Sequence, residues 1–96
     1  MSRRRYLVTY DVSDDKRRTK LFRLLEGEGD HVQYSVFLCE LNHREFIRLK
    51  SEIDETINHH EDQVLFLDLG HSELLPAAFL STLGRAYLPP CPTLVV

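Results

Sequence analysis

The chain has 96 residues, 43% of them hydrophobic, which is enough for one small folded domain and leaves no room for a second core. No apolar run approaches the ~20 residues a membrane-spanning helix needs, so no membrane partner is expected. The net charge of -3 hides an asymmetry: residues 1–25 hold eight Lys and Arg against three Asp, a balance of +5, while the other 71 residues hold four against twelve, a balance of -8. Average acidity therefore does not exclude a nucleic-acid partner, because the distribution of charge governs such binding. A solvated basic helix face is the bland alternative.

The start, Arg3-Arg4-Arg5 followed by five residues before Asp11, is too short for a signal-peptide core, and a cytoplasmic location is expected. Cys39 and Cys91 fit no zinc or redox spacing and read as two reduced packing thiols. A core this modest makes oligomerisation a reasonable expectation.

Tyr6 to Tyr10 is an unbroken apolar, β-branched and aromatic run, and it predicts the first strand. Tyr6, Val8, Tyr10 and Val12 share one face, and Leu7, Thr9 and Asp11 the other. Asp11 thus comes at the end of the strand, where a buried carboxylate would need a cation, a metal or a donor. Ser13 or Asp14 caps a helix predicted over 15–26, with Leu21, Leu24 and Leu25 as its apolar stripe, Phe22 beside it and Gly27 as its stop. Lys16, Arg17 and Arg18 fall in its first turn, the end where the helix dipole already places positive charge. An anion such as phosphate would relieve that mismatch. Lys20 and Arg23 extend the basic face.

His31 to Leu41 is β-prone but long for one strand. It reads either as one bent strand or as two strands joined at Gln33-Tyr34-Ser35. Asn42 caps a second helix from about His43 to Asn58, with Phe46, Leu49, Ile53 and Ile57 facing inward. Asn58 to Asp62 is a polar connection, in which His59 and His60 read as solvated rather than as metal ligands. Gln63 to Leu69 forms a strand that Gly70 is expected to end, with Val64, Phe66 and Asp68 on one face and Leu65, Leu67 and Leu69 on the other. Residues 77–83 suit a helix or a strand. Pro89, Pro90 and Pro92 forbid regular structure around Cys91, and Thr93 to Val96 is a short β-prone end that needs a sheet edge to cover it. The element order is β-α-β(β)-α-β plus an extension. If the second β region splits, this is a ferredoxin-like βαββαβ α+β fold with both helices on one face of an antiparallel sheet. The other face is then too apolar for water, and a face-to-face dimer follows.

Tyr-Leu-Val-Thr-Tyr-Asp-Val at 6–12, Asp14-Asp15, the Lys-Arg-Arg cluster and Val-Gln-Tyr-Ser-Val-Phe at 32–37 resemble the second of the two universal CRISPR-associated adaptation proteins. The resemblance covers residues 6–69. It implies a split second β region, a strand over 77–83, and a single domain spanning 1–96. In that domain 1–84 form the core and 85–96 extend to the partner subunit of a homodimer. It implies a metal-dependent endonuclease of RNA or DNA acting in spacer acquisition for antiviral defence. The alternative is a non-catalytic dimeric scaffold that binds double-stranded DNA and bridges the CRISPR integrase protein. Asp11 matches the family's metal-binding aspartate, paired across the two-fold axis around Mg²⁺ or another divalent cation. Tyr10, Ser35, Arg17, Arg18 and Phe37 match positions near that site. Arg17, Arg18, Lys16 and Lys20 are the expected phosphate contacts. Ser35 has an equal claim as a small residue at a turn, and Tyr10 and Phe37 as core aromatics. A ferredoxin-like RNA-recognition module is disfavoured because no Gly-Phe-Gly-Phe-like strand appears, and a related antitoxin-paired ribonuclease is a further possibility.

Overall fold

The structure, a computed structural model, describes residues 3–71 and 80–85. Its order is β1 (Arg4–Asp11), α1 (Asp15–Glu26), β2 (Gly29–Gln33), β3 (Val36–Leu41), α2 (His43–Thr56) and β4 (Gln63–His71). The second β region does split. Gln33 pairs with Val36, so Tyr34 and Ser35 alone make the turn, and Ser35 takes a left-handed φ of 63°. The strands lie in the order β2-β3-β1-β4 with every pair antiparallel, the ferredoxin-like arrangement.

Both helices sit on one face of this sheet. Tyr6, Val8 and Tyr10 of β1, Phe37 and Cys39 of β3, Leu21 and Leu25 of α1, and Leu49 and Ile53 of α2 form one buried cluster. Over β1 and β4, the Phe46 ring of α2 stacks on Tyr6 at 4.3 Å and meets Phe66 edge-on at 5.6 Å. Over β2 and β3, Phe22 of α1 meets His31 and Phe37 edge-on. The helix ends follow from the sequence. Asp14 accepts from the Arg17 N–H, and Asn42 and Glu45 form a reciprocal capping box. The α2 helix stops at Thr56, two residues before the expected end, with Ile57 as its C-cap.

Three details differ from expectation. First, β4 runs through Gly70 to His71. Arg5 pairs with Gly70 and Tyr6 with Asp68, so Leu69 is an extra, bulged residue. Gly70 takes a φ of 92° there, and its N–H donates to Asp68. Second, the strand implied over 77–83 is absent from its described part, since residues 80–83 have no strand geometry and the rest lies outside the described residues. Third, the β2 strand starts at Gly29, earlier than His31. The proline-rich segment, Cys91 and the 93–96 end also lie outside the described residues.

Cys39 is fully buried and burial pushes its thiol up to about 12, which suits an inert packing role. Gly29 lies against it: a Cβ there would come within 2.6 Å of both Cys39 Sγ and the Leu38 carbonyl oxygen. Backbone cannot yield as a side chain can. Gly29→Ala is therefore expected to destabilise by about 1–3 kcal/mol, the usual range for overpacking, read as a lower urea midpoint at unchanged slope.

The opposite face of the sheet carries no helix. Cross-strand register aligns Leu38, Leu7 and Leu67 in one row and Val36, Thr9 and Leu65 in the next. Leu65 and Leu67 are 47% and 44% exposed.

Candidate metal and nucleic-acid site

Asp11 is the last residue of β1 and pairs with Gln63, the first of β4. It is exposed. Strand alternation puts it on the open face with Leu7 and Thr9, because Tyr10 and Val12 on either side are buried in the core. Among the described residues no group of three or more His, Cys, Asp or Glu side chains could hold a metal ion. One subunit thus offers fewer than three such side chains there, Asp11 among them. That set suits a hard cation that keeps most of its water, provided a second carboxylate arrives from elsewhere.

The loop after Asp11 is held from α1. Arg18 donates through Nη1 to the carbonyls of Val12 and Ser13, both at 3.1 Å, and through Nη2 to the Asp15 carboxylate. Its next-door neighbour does something the sequence does not reveal. Arg17 reaches the connection between α2 and β4, donating from Nε to Asp62 at 2.7 Å and from Nη2 to Asp62 and Glu61 at 3.2 Å each. The Asp62 side chain is wholly shielded, and its Oδ2 also accepts from the Asn58 N–H. Arg17 therefore latches the start of α1 to the start of β4, and its donors already serve carboxylates. Asn58 closes the same connection with its side-chain oxygen, which accepts from the His60 and Glu61 N–H groups. Turn chemistry could have flagged Asn58; nothing in the sequence paired Asp62 with Arg17. His59 rests on Asp54, as a solvated histidine would, at 3.1 Å from its carbonyl oxygen.

The latch carries a pH signature. The Arg17 hydrogen bond and the Asn58 N–H hold the Asp62 carboxyl below its ordinary value. A depressed carboxylate adds stability above its unfolded pKa of about 4, and loses it as pH falls through the lower folded value. The wild-type urea midpoint should drop as pH falls from 5 to 2 more steeply than that of Asp62→Asn, which lacks this ionisation. Parallel curves would remove Asp62 from the acid response.

Lys16, Lys20 and Arg23 have no charged partner among the described residues. With Asp15 and Thr19 they line a shallow groove of about 400 Å³ along α1. Lys16 and Lys20 thus stay available to phosphate. Tyr10 and Ser35 meet each other instead of Asp11. The Tyr10 N–H donates to the Ser35 carbonyl at 3.1 Å. Burial raises the Tyr10 phenol above its usual value, so it stays protonated at neutral pH. Phe37 is fully buried and stacked with Tyr10. The expected group of Asp11, Tyr10 and Ser35 is thus divided. Asp11 lies on the open face, and Tyr10 on the helix side.

The family described as CRISPR associated protein Cas2 matches residues 4–74. The chain belongs to the Cas2 family. A CRISPR-associated endoribonuclease Cas2 of Geobacter sulfurreducens is 38% identical over 84 residues, covering 88% of this chain and 87% of that protein. A second, from Rhodospirillum rubrum, is 39% identical over 82 residues, covering 85% and 79%. Among solved structures, Streptococcus pyogenes Cas2 aligns with a TM-score of 0.69 at 31% identity, covering 83% of this chain and 99% of that one. A hypothetical protein from Thermus thermophilus aligns at 0.77 and 33%, covering 92% and 99%. A chain of a partial Cas6–RT–Cas1–Cas2 complex aligns at 0.63 and 32%, covering 90% and 99%. The family resemblance read from residues 6–69 and the ferredoxin-like fold both stand. No helix among the described residues is long and apolar enough to cross a membrane.

Proposed function

We propose that this chain is a CRISPR-associated nuclease. Two copies meet across their open sheet faces and hold a divalent cation, Mg²⁺ or a similar hard ion, between their Asp11 carboxylates. The observation that carries the reading is the position of Asp11: an exposed acid at the end of β1, on the same face as the half-buried Leu7 and the exposed Leu65 and Leu67. A two-fold contact through that face supplies the second carboxylate that one subunit lacks. When bound, such a cation activates water and offsets charge on the phosphate. The chain's own residues do the rest. Asp11 fixes the reacting point, Arg18 holds the loop behind it, and Lys16, Lys20 and Arg23 attract the phosphate backbone. Tyr10 and Ser35 support the strand end from the helix side. The names of the Geobacter and Rhodospirillum relatives favour RNA as substrate. The test is cleavage of matched single- and double-stranded RNA and DNA with Mg²⁺ and with EDTA. Cleavage of at least one substrate, lost in EDTA, is expected, and a purified chain inert with every divalent metal would sink the reading.

A second reading has its own support: a structural neighbour comes from a complex that contains Cas1. In it, a dimer of this chain bridges the integrase during spacer acquisition and binds duplex DNA through the same lysines, without Asp11 as catalyst. Spacer acquisition that survives Asp11→Asn would favour it.

A further inference from the structure

A second cleft lies on the helix side of the sheet, between α1 and the β2–β3 turn. Its volume is about 220 Å³, and Tyr10, Arg18, Thr19, Phe22, His31, Tyr34 and Ser35 line it. Neither Asp11 nor the open face contributes to it. Its composition is unusual for a surface this small. The His31 ring lies 4.9 Å from Phe37 and 5.2 Å from Phe22, and those two phenylalanines meet at 5.4 Å. His31 and Phe22 thus present rings to the cleft, with the buried Phe37 packed behind them. Tyr34, at the tip of the turn, is 74% exposed. Its ring is therefore free to pack against a planar ligand.

Polar groups line it as well. Arg18 uses three of its five N–H groups on Val12, Ser13 and Asp15. Nε–H and one Nη2–H have no partner among the described residues. Tyr10 and Ser35 line the same cleft. Thr19 is shared with the cationic groove of Lys16, Lys20 and Arg23, so the two depressions adjoin. A groove lined by three cations thus adjoins a cleft lined by aromatic rings and Arg18. Stacking surfaces beside a backbone-tracking groove suit an unpaired base, whose faces are open, and not a base pair inside a duplex.

We propose that this cleft takes one unpaired base of a single-stranded nucleic acid whose adjoining phosphates lie along Lys16, Lys20 and Arg23. The inference rests on the nucleic-acid reading above and adds the strandedness of what is bound.

The test measures binding without cleavage. It uses Asp11→Asn protein in EDTA, fluorescent single-stranded RNA and DNA oligomers, and duplexes of the same sequences. Single strands should bind, and an abasic residue scanned along the oligomer should weaken binding at one position by about tenfold, the scale of one base–aromatic stack. Tyr34→Ala should cost the same factor on the intact single strand and nothing further on the abasic one. Tyr34→Phe should bind as wild type, and duplex affinity should be unchanged in both. Tyr34 is so exposed that neither substitution threatens the fold. Equal losses on single strand and duplex, or no loss with Tyr34→Ala, would overturn the proposal. Absence of any nucleic-acid binding would overturn it together with the wider reading. Failure of cleavage alone would leave these affinities as predicted, so the two ideas separate.

Discussion

Asp11→Asn should lower nuclease activity by at least ~10²-fold while leaving urea stability and nucleic-acid affinity unchanged. Asp11 is exposed, and it belongs to no group of three or more metal-ligating side chains among the described residues. Stability has little to lose, since surface substitutions away from caps and buried networks usually shift it by less than about 0.5 kcal/mol. Activity has much to lose, because a hard cation needs the charge of a carboxylate oxygen and an amide oxygen supplies none. Water activation and charge stabilisation are each worth several kcal/mol, and every ~1.4 kcal/mol is tenfold in rate. EDTA on the wild type should reproduce the loss, and EDTA on the variant should add little, because the acid and the ion act as one unit. Full activity in Asp11→Asn would refute the shared-metal account outright. Loss of cleavage with intact spacer acquisition would assign the biological role to the scaffold.

What could be read from the residues tracks the range of the interactions involved. The helix over Asp15–Glu26, its cap at Asp14 and the capping box at Asn42 are set within four residues of sequence, and periodicity with cap chemistry recovers them. The split at Tyr34-Ser35 was open because alternation continues through the turn; it is decided by the left-handed Ser35 and by its carbonyl on the Tyr10 N–H. The bulge at Leu69 is a register event between β1 and β4, invisible to a pattern that assumes Gly70 ends a strand. The site was half legible for the same reason. Asp11 announces itself as an acid at a strand end. The Arg17 engagement with Asp62 spans 45 positions, and no local rule links them. Arg17 therefore serves as a latch, and the cations of α1 with no charged partner among the described residues are Lys16, Lys20 and Arg23. The division of Tyr10 from Asp11 was available from alternation alone, since adjacent strand residues point to opposite faces.

Leu67→Glu should convert a dimer into a monomer without unfolding it. In the register of β1 and β4, Leu67 sits opposite Leu7, in the row that continues to Leu38, at the centre of the uncovered face. Leu65, Leu67 and Leu69 are each between 41% and 47% exposed in one subunit. Burying the remaining half of a leucine gains about 1 kcal/mol, so six such side chains across a two-fold contact contribute on the order of 6 kcal/mol. A glutamate at position 67 removes two of these gains. It also buries two like charges near the axis, each costing several kcal/mol unless it is neutralised. The dimer dissociation constant should therefore rise at least ~10³-fold. Light scattering after size exclusion should report mass for one chain of 11.2 kDa, with circular dichroism unchanged. Cleavage should disappear with the dimer, since a lone subunit presents only one Asp11. Mixing the Leu67→Glu and Asp11→Asn proteins should restore nothing. A Leu67→Glu protein that stays dimeric would place the contact elsewhere, and the two aspartates would then have no reason to meet. A monomer that still cleaves would show that one Asp11 is enough, and the shared-metal geometry would fall even though the open face had been identified correctly.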